Sequence, residues 1–374
     1  MKIVVAMDSF KSSISTLSAC KIIRDTLLSI NPKLTVVNIP MADGGEGTAE
    51  AMMAAHKGKW IKVQTMGPLQ EMKVKAGFAF FLDTKVALIE MAKASGLELL
   101  NPKQADPLKT TTFGTGQLIR VAANYGADKI LLAVGGSATV DGGVGAAQAL
   151  GWKFLDSKGR PIGFGGGQLE RIAKIIKPGK IDWPEIEVLC DVDNLLCGEE
   201  GAARTFAPQK GATPEMVEQL EAGLNHLAEV VKQQLGIEIA EVPGSGAAGG
   251  LAAGAVAFMN AKLVSGVETI VRESGLEKEI SDADWVITGE GRFDLQSLRG
   301  KVVSGVTKAA RLSGAKVCVI AGRVELPKKQ WQDFGITEAI GLSDEKINLN
   351  YAIANTKSLL ADAARKFVET HLKN

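Results

Sequence analysis

Short apolar runs that end in a small residue followed by an acid recur along the chain, and this pattern constrains the fold most. The first run, IVVAM at 3–7, leads into Asp8, and TVVNI at 35–39 leads into the turn that holds Asp43. Each turn opens a segment whose apolar residues have helical spacing. A repeated order of strand, loop and helix predicts a doubly wound α/β sheet of parallel strands.

This order stops after the first two helices and returns near the end of the chain. Three strand-like segments at 60–90 follow one another with short turns, which predicts antiparallel hairpins. From Asp284 onwards, WVITG, a helical segment and KVCVIAG restore the first pattern. We therefore predict a two-domain α/β protein, with a Rossmann- or flavodoxin-like parallel sheet built from both chain ends and a mixed α/β domain inserted between them. The predicted boundaries are 1–58 with 283–374 for the first domain and 59–282 for the inserted one.

Composition disfavours several classes of function. The 374 residues include 43 Lys and Arg against 42 Asp and Glu, a formal net charge of +1, whereas a nucleic-acid binder needs a basic surplus. The N-terminal apolar run is too short for a signal peptide, and the uncharged stretch 242–261 is too weakly apolar for a membrane span. Four cysteines without a CxxC pair fit a reducing compartment. We expect a cytoplasmic protein that binds neither nucleic acid nor membranes.

Six loops, most of them after predicted strands, combine small residues with a polar or charged side chain, a composition that suits phosphate chemistry. N–H groups in glycine turns bind anionic oxygens, carboxylates bind Mg²⁺, and Lys or Arg neutralises charge on a transferring phosphoryl group. Acids at such positions also cap helices and form turns, so a single loop leaves both interpretations open. The loops are DSFK (8–11), DGGE (43–46), GGS (135–137), DGG (141–143), DVD (191–193) and GEGRFD (289–294).

Other catalytic motifs are absent or weak. There is no Walker A loop, since Gly300-Lys301 is followed by Val302. There is no GxSxG elbow, and the three histidines lie in helical, polar segments, which disfavours a nucleophile activated by histidine. One GxGxxG match, 244–249, follows the strand-like IEIAEV and precedes Glu268 by about 20 residues. It leaves a nicotinamide-dependent hydroxy-acid dehydrogenase open as an alternative.

Eight segments resemble, in order and across nearly the whole chain, the bacterial glycerate kinase family, the type without a P-loop. They are MDSFKSS, PMADGGEGT, GTGQLI, VGGSATVDGGVGAAQALG, CDVDN, GAARTFAPQKGA, PGSGAAGGLAAG and VITGEGRFDLQSLRGK. The chain has Ser12 where the family often has Gly, and Leu195 where Pro is common. The resemblance implies two α/β domains with the active site in the cleft between them. It also implies phosphorylation of D-glycerate with ATP and Mg²⁺, with 2-phosphoglycerate as the favoured product.

The loop chemistry and the resemblance give candidate site residues. We predict Asp191 as the base that accepts the proton of the substrate hydroxyl, or as a metal ligand. Lys11 and Arg292 are predicted to bind phosphates or the glycerate carboxylate. The candidate Mg²⁺ ligands are Asp193, Glu290 and Asp294. The candidate nucleotide-binding residues are Gly135, Gly136, Ser137, Asp43, Gly44, Gly45 and Glu46.

Some questions stay open at this point. A non-catalytic hydroxy-acid sensor on the same scaffold is a second alternative, although a sensor would not need the candidate Mg²⁺ ligands. The sequence does not decide between the 2- and 3-hydroxyl of glycerate. It also leaves the oligomeric state open between a monomer and a homodimer.

Overall fold

The computed structural model describes residues 1–10, 13–45, 47–179, 183–343 and 349–372. The chain divides into two compact units. Unit 1 comprises Met1–Asp43, Glu50–Lys57 and Ser265–Asn374, and unit 2 comprises Gly44–Ala49 and Gly58–Val264. Compactness does not test which segments fold independently, so the domain boundaries predicted from the sequence stay a prediction.

Strands and helices alternate through most of the described chain. The strands are β1 Lys2–Met7, β2 Thr35–Asn38, β3 Gly58–Met66, β4 Lys73–Phe81, β5 Val86–Glu90, β6 Lys129–Ala133, β7 Lys153–Leu155, β8 Lys174–Ile176, β9 Glu185–Leu189, β10 Lys262–Val264, β11 Trp285–Gly289, β12 Arg292–Phe293, β13 Lys316–Ala321, β14 Arg323–Val324 and β15 Glu338–Gly341. The α-helices are α1 Thr16–Ile30, α2 Thr48–Ala55, α3 Ala92–Ser95, α4 Phe113–Asn124, α5 Val144–Ala149, α6 Ala202–Phe206, α7 Pro214–Leu235, α8 Ala247–Met259, α9 Gly266–Glu273, α10 Leu276–Ile280, α11 Val302–Ser313, α12 Lys328–Asp333, α13 Leu349–Ala354 and α14 Thr356–His371. Short 3₁₀ helices lie at Leu97–Leu99, Pro102–Gln104, Gly166–Arg171, Pro208–Lys210 and Leu295–Leu298. No described helix is long and apolar enough to cross a membrane.

Unit 1 contains a five-stranded parallel sheet in the order β15-β13-β11-β1-β2. Counted within the unit this order is 2-1-3-4-5, the order of flavodoxin-like folds. Two strands come from the start of the chain and three from its end, so the predicted fold class is confirmed. Ile3, Val5 and Met7 of β1 are fully buried in one apolar core with residues of α1 and α14. The almost wholly apolar sequence of β1 is typical of a parallel strand that is buried on both faces.

Unit 2 contains a six-stranded mixed sheet in the order β10-β9-β6-β5-β4-β3. The strands β3, β4 and β5 form the predicted hairpins, because β4 pairs antiparallel with both neighbours. The strands β5, β6, β9 and β10 are parallel to one another. Side chains such as Phe78, Phe154 and Leu224 are buried in one apolar core, and each contributes about 1.5–3 kcal/mol by leaving water.

The glycine-rich segment 244–250 has a packing role. The strand predicted at 237–242 is wrong, because this stretch carries no strand and has no neighbouring strand to pair with. Helix α8 is kinked at Ala248, Gly249 and Gly250, all of which have positive φ. A Cβ on Gly249 would lie 2.0 Å from the carbonyl oxygen of Thr139, and the Gly249 carbonyl accepts a hydrogen bond from Gly142 N at 3.0 Å. Glycine therefore lets α8 approach the loop at 139–142 closely.

Candidate functional site

The strand order of unit 1 places two acids at its switch point. Asp8 follows β1 and Glu290 follows β11, and these two strands are neighbours. The order reverses between them, since β2 continues on one side and β13 on the other. In open parallel sheets ligands bind outside the carboxyl ends of the strands at this point. The fold therefore brings two of the predicted loops to the expected ligand crevice.

A cavity of about 470 Å³ lies at this crevice, entirely within unit 1. One part of its lining is apolar, and another part is formed by charged groups. Small-molecule sites have similar volumes and the same combination of an apolar wall with a few polar groups. The apolar side chains are Phe10, Leu342, Ala352 and Ile353, and the charged ones are Asp8, Asp43, Glu290, Arg292, Asp294 and Lys301.

Glu290 is the buried carboxylate of this cavity, with only 7% of its surface exposed. Within the described residues its Oε1 atom is buried without a hydrogen-bond partner, while Oε2 lies 3.7 Å from Lys301 Nζ. Burial raises the pKa of Glu290; Ser297 and Lys301 oppose this rise, and the charges of Asp294 and Asp43 add to it. A bound cation would stabilise a buried carboxylate whose charge is opposed by two further acids.

Arg292 and Asp294 already have partners in the structure. The guanidinium of Arg292 donates to Glu325 Oε2 from Nε at 2.9 Å and from Nη2 at 2.7 Å. Asp294 caps the following 3₁₀ helix, since its Oδ1 accepts from Gln296 N at 2.9 Å and Ser297 N at 3.3 Å. Either residue would have to keep or exchange these bonds when it contacts a ligand.

Unit 2 brings a second set of residues, some of them predicted, to the carboxyl edge of its parallel strands. Glu90 ends β5, the loop at 135–137 follows β6, and Asp191 follows β9, and these strands are neighbours. Asp191 and Asp193 are exposed. Glu90 is buried, and its Oε1 accepts from Ala49 N at 3.1 Å. The edge thus combines an accessible acid with a glycine loop.

The Gly135–Gly136–Ser137 loop presents main-chain N–H groups. Gly136 is exposed and has a φ of +73°. Its carbonyl accepts from Leu97 N at 2.9 Å, and Ala138 N donates to the Ser95 carbonyl at 2.9 Å. Residues 135 and 136 form a turn. Across the described parts of the chain, no main-chain carbonyl accepts a hydrogen bond of good geometry from the N–H groups of residues 135, 136 and 137. Successive free N–H groups next to a left-handed glycine are typical of anion-binding nests.

Four predicted residues remain: Gly44, Gly45, Lys11 and Glu46. Gly44 has a φ of +85° and Gly45 accepts from Thr48 Oγ1 at 2.7 Å, so both belong to the turn that opens α2. Lys11 and Glu46 lie outside the described residues.

Among the residues that are described, no group of three or more His, Cys, Asp or Glu side chains is arranged to hold a metal ion. A cation at Glu290 would therefore need ligand oxygens from a substrate or from water, which Mg²⁺ commonly retains.

Comparison with known proteins identifies the family. The family model described as "Glycerate kinase family" matches residues 3–372. The chain belongs to the glycerate kinase family. It is 44% identical over 367 residues, 97% of this chain and 96% of its relative, to a protein named glycerate kinase from Halalkalibacterium halodurans. It is 47% identical over 325 residues, 86% of this chain and 85% of its relative, to the glycerate 2-kinase of Escherichia coli K12.

A solved structure supports the same assignment. The structure described as glycerate kinase 2 from Salmonella typhimurium LT2 superposes with a TM-score of 0.86 at 41% identity and covers 99% of this chain and 98% of that one. Membership in the glycerate kinase family confirms the predicted resemblance and the predicted class of enzyme, a kinase.

Two polar residues at the sites of this glycerate kinase family member were missed by the sequence predictions. Lys210 is the clearest: only 3% of it is exposed, and its Nζ donates to Ser137 Oγ at 2.7 Å and to the Thr139 carbonyl at 2.8 Å. Its segment, GAARTFAPQKGA, carries part of the family resemblance, which was the available signal. Glu90 also ends an apolar run, as the predicted acids do, and could have been found by the same rule.

Asp141 follows the Gly135–Gly136–Ser137 loop in the chain, and only 1% of its surface is exposed. Its carboxylate accepts from Thr112 N at 2.7 Å, Thr112 Oγ1 at 2.9 Å, Gly143 N at 3.2 Å and Gly145 N at 3.3 Å. Burial raises the pKa of Asp141, and these donors oppose that rise. Asp141 therefore holds two chain segments together, the one around Thr112 and the start of α5.

Proposed function

We propose that this chain transfers the γ-phosphoryl group of ATP to the 2-hydroxyl of D-glycerate, giving ADP and 2-phosphoglycerate. The names of its relatives, glycerate kinase and glycerate 2-kinase, support the substrate and the position. The observation that carries the proposal is the unit 1 cavity, which joins an apolar wall to a buried, unpartnered carboxylate oxygen at the switch point of a parallel sheet. This combination suits a nucleotide with its metal ion.

The unit 1 cavity is assigned to the nucleotide. Phe10, Leu342 and Ile353 offer apolar surface for the base and the ribose, and a three-carbon acid would fill only a small part of the volume. Glu290, with Asp43 and Asp294 close enough to influence its charge, would hold Mg²⁺. When bound, Mg²⁺ neutralises charge on the phosphates and fixes their orientation.

The remaining roles are assigned residue by residue, as the sequence predicted them. Asp191 accepts the proton of the glycerate hydroxyl, and its exposure makes it accessible to substrate. The loop at 135–137 binds an anionic group through its N–H groups. Arg292 and Lys11 bind phosphate or the glycerate carboxylate, and Arg292 would exchange its Glu325 partner for the ligand. Asp193 would be a Mg²⁺ ligand, as predicted from the sequence.

Replacing Glu290 by Gln should weaken binding of ADP in the presence of Mg²⁺ by about 10–100-fold, the range for disrupted metal sites. The amide has the same shape, but it lacks the charge that attracts the ion. Isothermal titration calorimetry with and without Mg²⁺ measures this effect without turnover. The control Glu277→Gln changes an exposed acid of α10. Equal Mg²⁺ dependence in wild type and Glu290→Gln would remove Glu290 from the metal site.

The first experiment measures ATP turnover of the purified protein with and without D-glycerate, with Mg²⁺ and then with excess EDTA. Phosphorus NMR of the product distinguishes 2- from 3-phosphoglycerate. We expect turnover that requires both glycerate and Mg²⁺. Besides the signals of ADP, we expect a single phosphoglycerate signal, from the 2-phosphate.

Other results of this experiment would favour a different product or a different class of function. A 3-phosphate signal would keep the kinase and correct the position. Saturable glycerate binding without turnover, from folded protein, would favour the sensor. Tight NAD binding that is independent of Mg²⁺ would favour the dehydrogenase.

A further inference from the structure

Lys210 is buried in unit 2 without a carboxylate partner. Its Nζ contacts one hydroxyl and one carbonyl oxygen, and among the described residues no acid oxygen lies within 4.0 Å of it. The charge of Asp141 influences its pKa, but the Asp141 carboxylate is already held by its own donors. Burial of an ammonium group without a counter-charge is unfavourable, so folding alone does not account for a lysine at this position.

The contacts of Lys210 lead to the glycine loop. Because Ser137 Oγ accepts the hydrogen bond from Lys210, its own hydroxyl hydrogen is available to a different acceptor. The free N–H groups of residues 135–137 lie in the same loop. The loop therefore combines main-chain donors, a hydroxyl donor and a positive charge beneath them, while Gly136 keeps its surface open to solvent.

We propose that Lys210 is a positioning residue, which orients the Ser137 hydroxyl and the Gly135–Ser137 loop so that they bind an anionic oxygen group of a substrate. Lys210 does not touch the substrate itself, since it lies below the loop. Its charge compensates the anion once the anion is bound. This inference rests on the proposed function, which supplies two anionic groups of the required chemistry: the carboxylate of glycerate and the phosphoryl groups of ATP.

The test combines Lys210→Met, Ser137→Ala and the double variant. Met has a similar length but neither charge nor donors. Binding of D-glycerate alone and of ADP alone is measured by calorimetry, and KM and kcat are measured for each substrate. We expect Lys210→Met to weaken binding of one of the two ligands, and to raise its KM, by about 10–100-fold, because charge-assisted bonds are lost. The ligand affected identifies the group that the loop binds.

Coupling separates positioning from a general effect on folding. If Lys210 acts through Ser137, the double variant loses no more ligand affinity than the more impaired of the two single variants. If the two residues act independently, their losses of binding free energy add. The control Lys232→Met removes an exposed lysine of α7 that pairs with Glu238. Additive losses, or a fall in kcat with unchanged KM for both substrates, would overturn the proposal.

A measurement on the wild type decides the question even if Lys210→Met does not fold. Burial lowers the pKa of Lys210 to about 7, and the charge of Asp141 opposes this change. Lys210 therefore loses its charge as the pH rises above about 7, while glycerate keeps its own. Affinity for the bound anion should fall between pH 7 and 9. Constant affinity of an active wild type over this range would contradict the inference and leave the proposed kinase intact, whereas an inactive wild type would contradict the kinase.

Discussion

Replacing Asp191 by Asn is expected to lower kcat by about 10²–10⁴-fold, the usual contribution of a general base. Asn has the same shape but cannot accept the proton of the attacking hydroxyl. Because Asp191 lies on an exposed loop after β9, the substitution should leave the fold unchanged. Steady-state kinetics with saturating ATP, Mg²⁺ and glycerate measure the effect, and circular dichroism checks the fold.

Two further acids of the same loop provide matched comparisons for Asp191. Glu199→Gln removes an exposed acid with no assigned role and should retain wild-type kcat. Asp193→Asn should instead raise the Mg²⁺ concentration needed for half-maximal rate, if Asp193 is a metal ligand. A wild-type kcat in Asp191→Asn would exclude Asp191 as the base, and a loss restored by added Mg²⁺ would reassign it as a metal ligand.

The fold of unit 1 was predictable because its strands are buried on both faces. Such strands are almost wholly apolar, as IVVAM and WVITG are, and each is followed by a turn and a helix. Once the start and the end of the chain are recognised as one repeating pattern, the parallel sheet follows. The carboxyl ends of neighbouring strands then place Asp8 and Glu290 together, without knowledge of any side-chain contact.

Residues that act from beneath the surface were harder to predict. Lys210 is preceded by Pro208 and followed by Gly211 in a short turn, where a lysine is usually exposed. Its burial depends on contacts with Ser137 and Thr139, which lie about 70 residues earlier in the chain. The cavity wall likewise joins Phe10 to Leu342 and Ile353. Such long-range proximity is a result of packing, which local sequence patterns do not encode.

Asp141 shows how a predicted loop acid can have a structural role. Replacing Asp141 by Ala is expected to lower the free energy of unfolding by about 3–5 kcal/mol, the cost of removing one partner from a buried charged network. The substitution leaves the N–H groups of Thr112, Gly143 and Gly145 without their acceptor, in a place where little water can replace it. Urea denaturation of wild type and variant at pH 7 measures the difference.

The control for Asp141→Ala is Asp128→Ala, which removes an exposed acid paired with Lys85 at 3.4 Å. Exposed ion pairs contribute less than about 1 kcal/mol, so a comparable loss in both variants would contradict the assigned role of Asp141. Asp141→Asn keeps the shape and one acceptor oxygen, and we expect it to lie between wild type and Asp141→Ala.

The pH dependence of the free energy of unfolding of Asp141→Asn, compared with wild type, tests two opposing effects on the pKa of Asp141. Burial raises this pKa, and the hydrogen-bond donors lower it. Burial raises the pKa of Asp141 above its ordinary value of 3.8. The folded state therefore holds this proton at a higher pH than the unfolded state does, and the stability that Asp141 contributes decreases as the pH rises through the folded pKa. Asn does not titrate, so the stability difference between wild type and Asp141→Asn should narrow as the pH rises from about 4. A widening difference would mean that the donors at Thr112, Gly143 and Gly145 outweigh burial and keep the carboxylate charged.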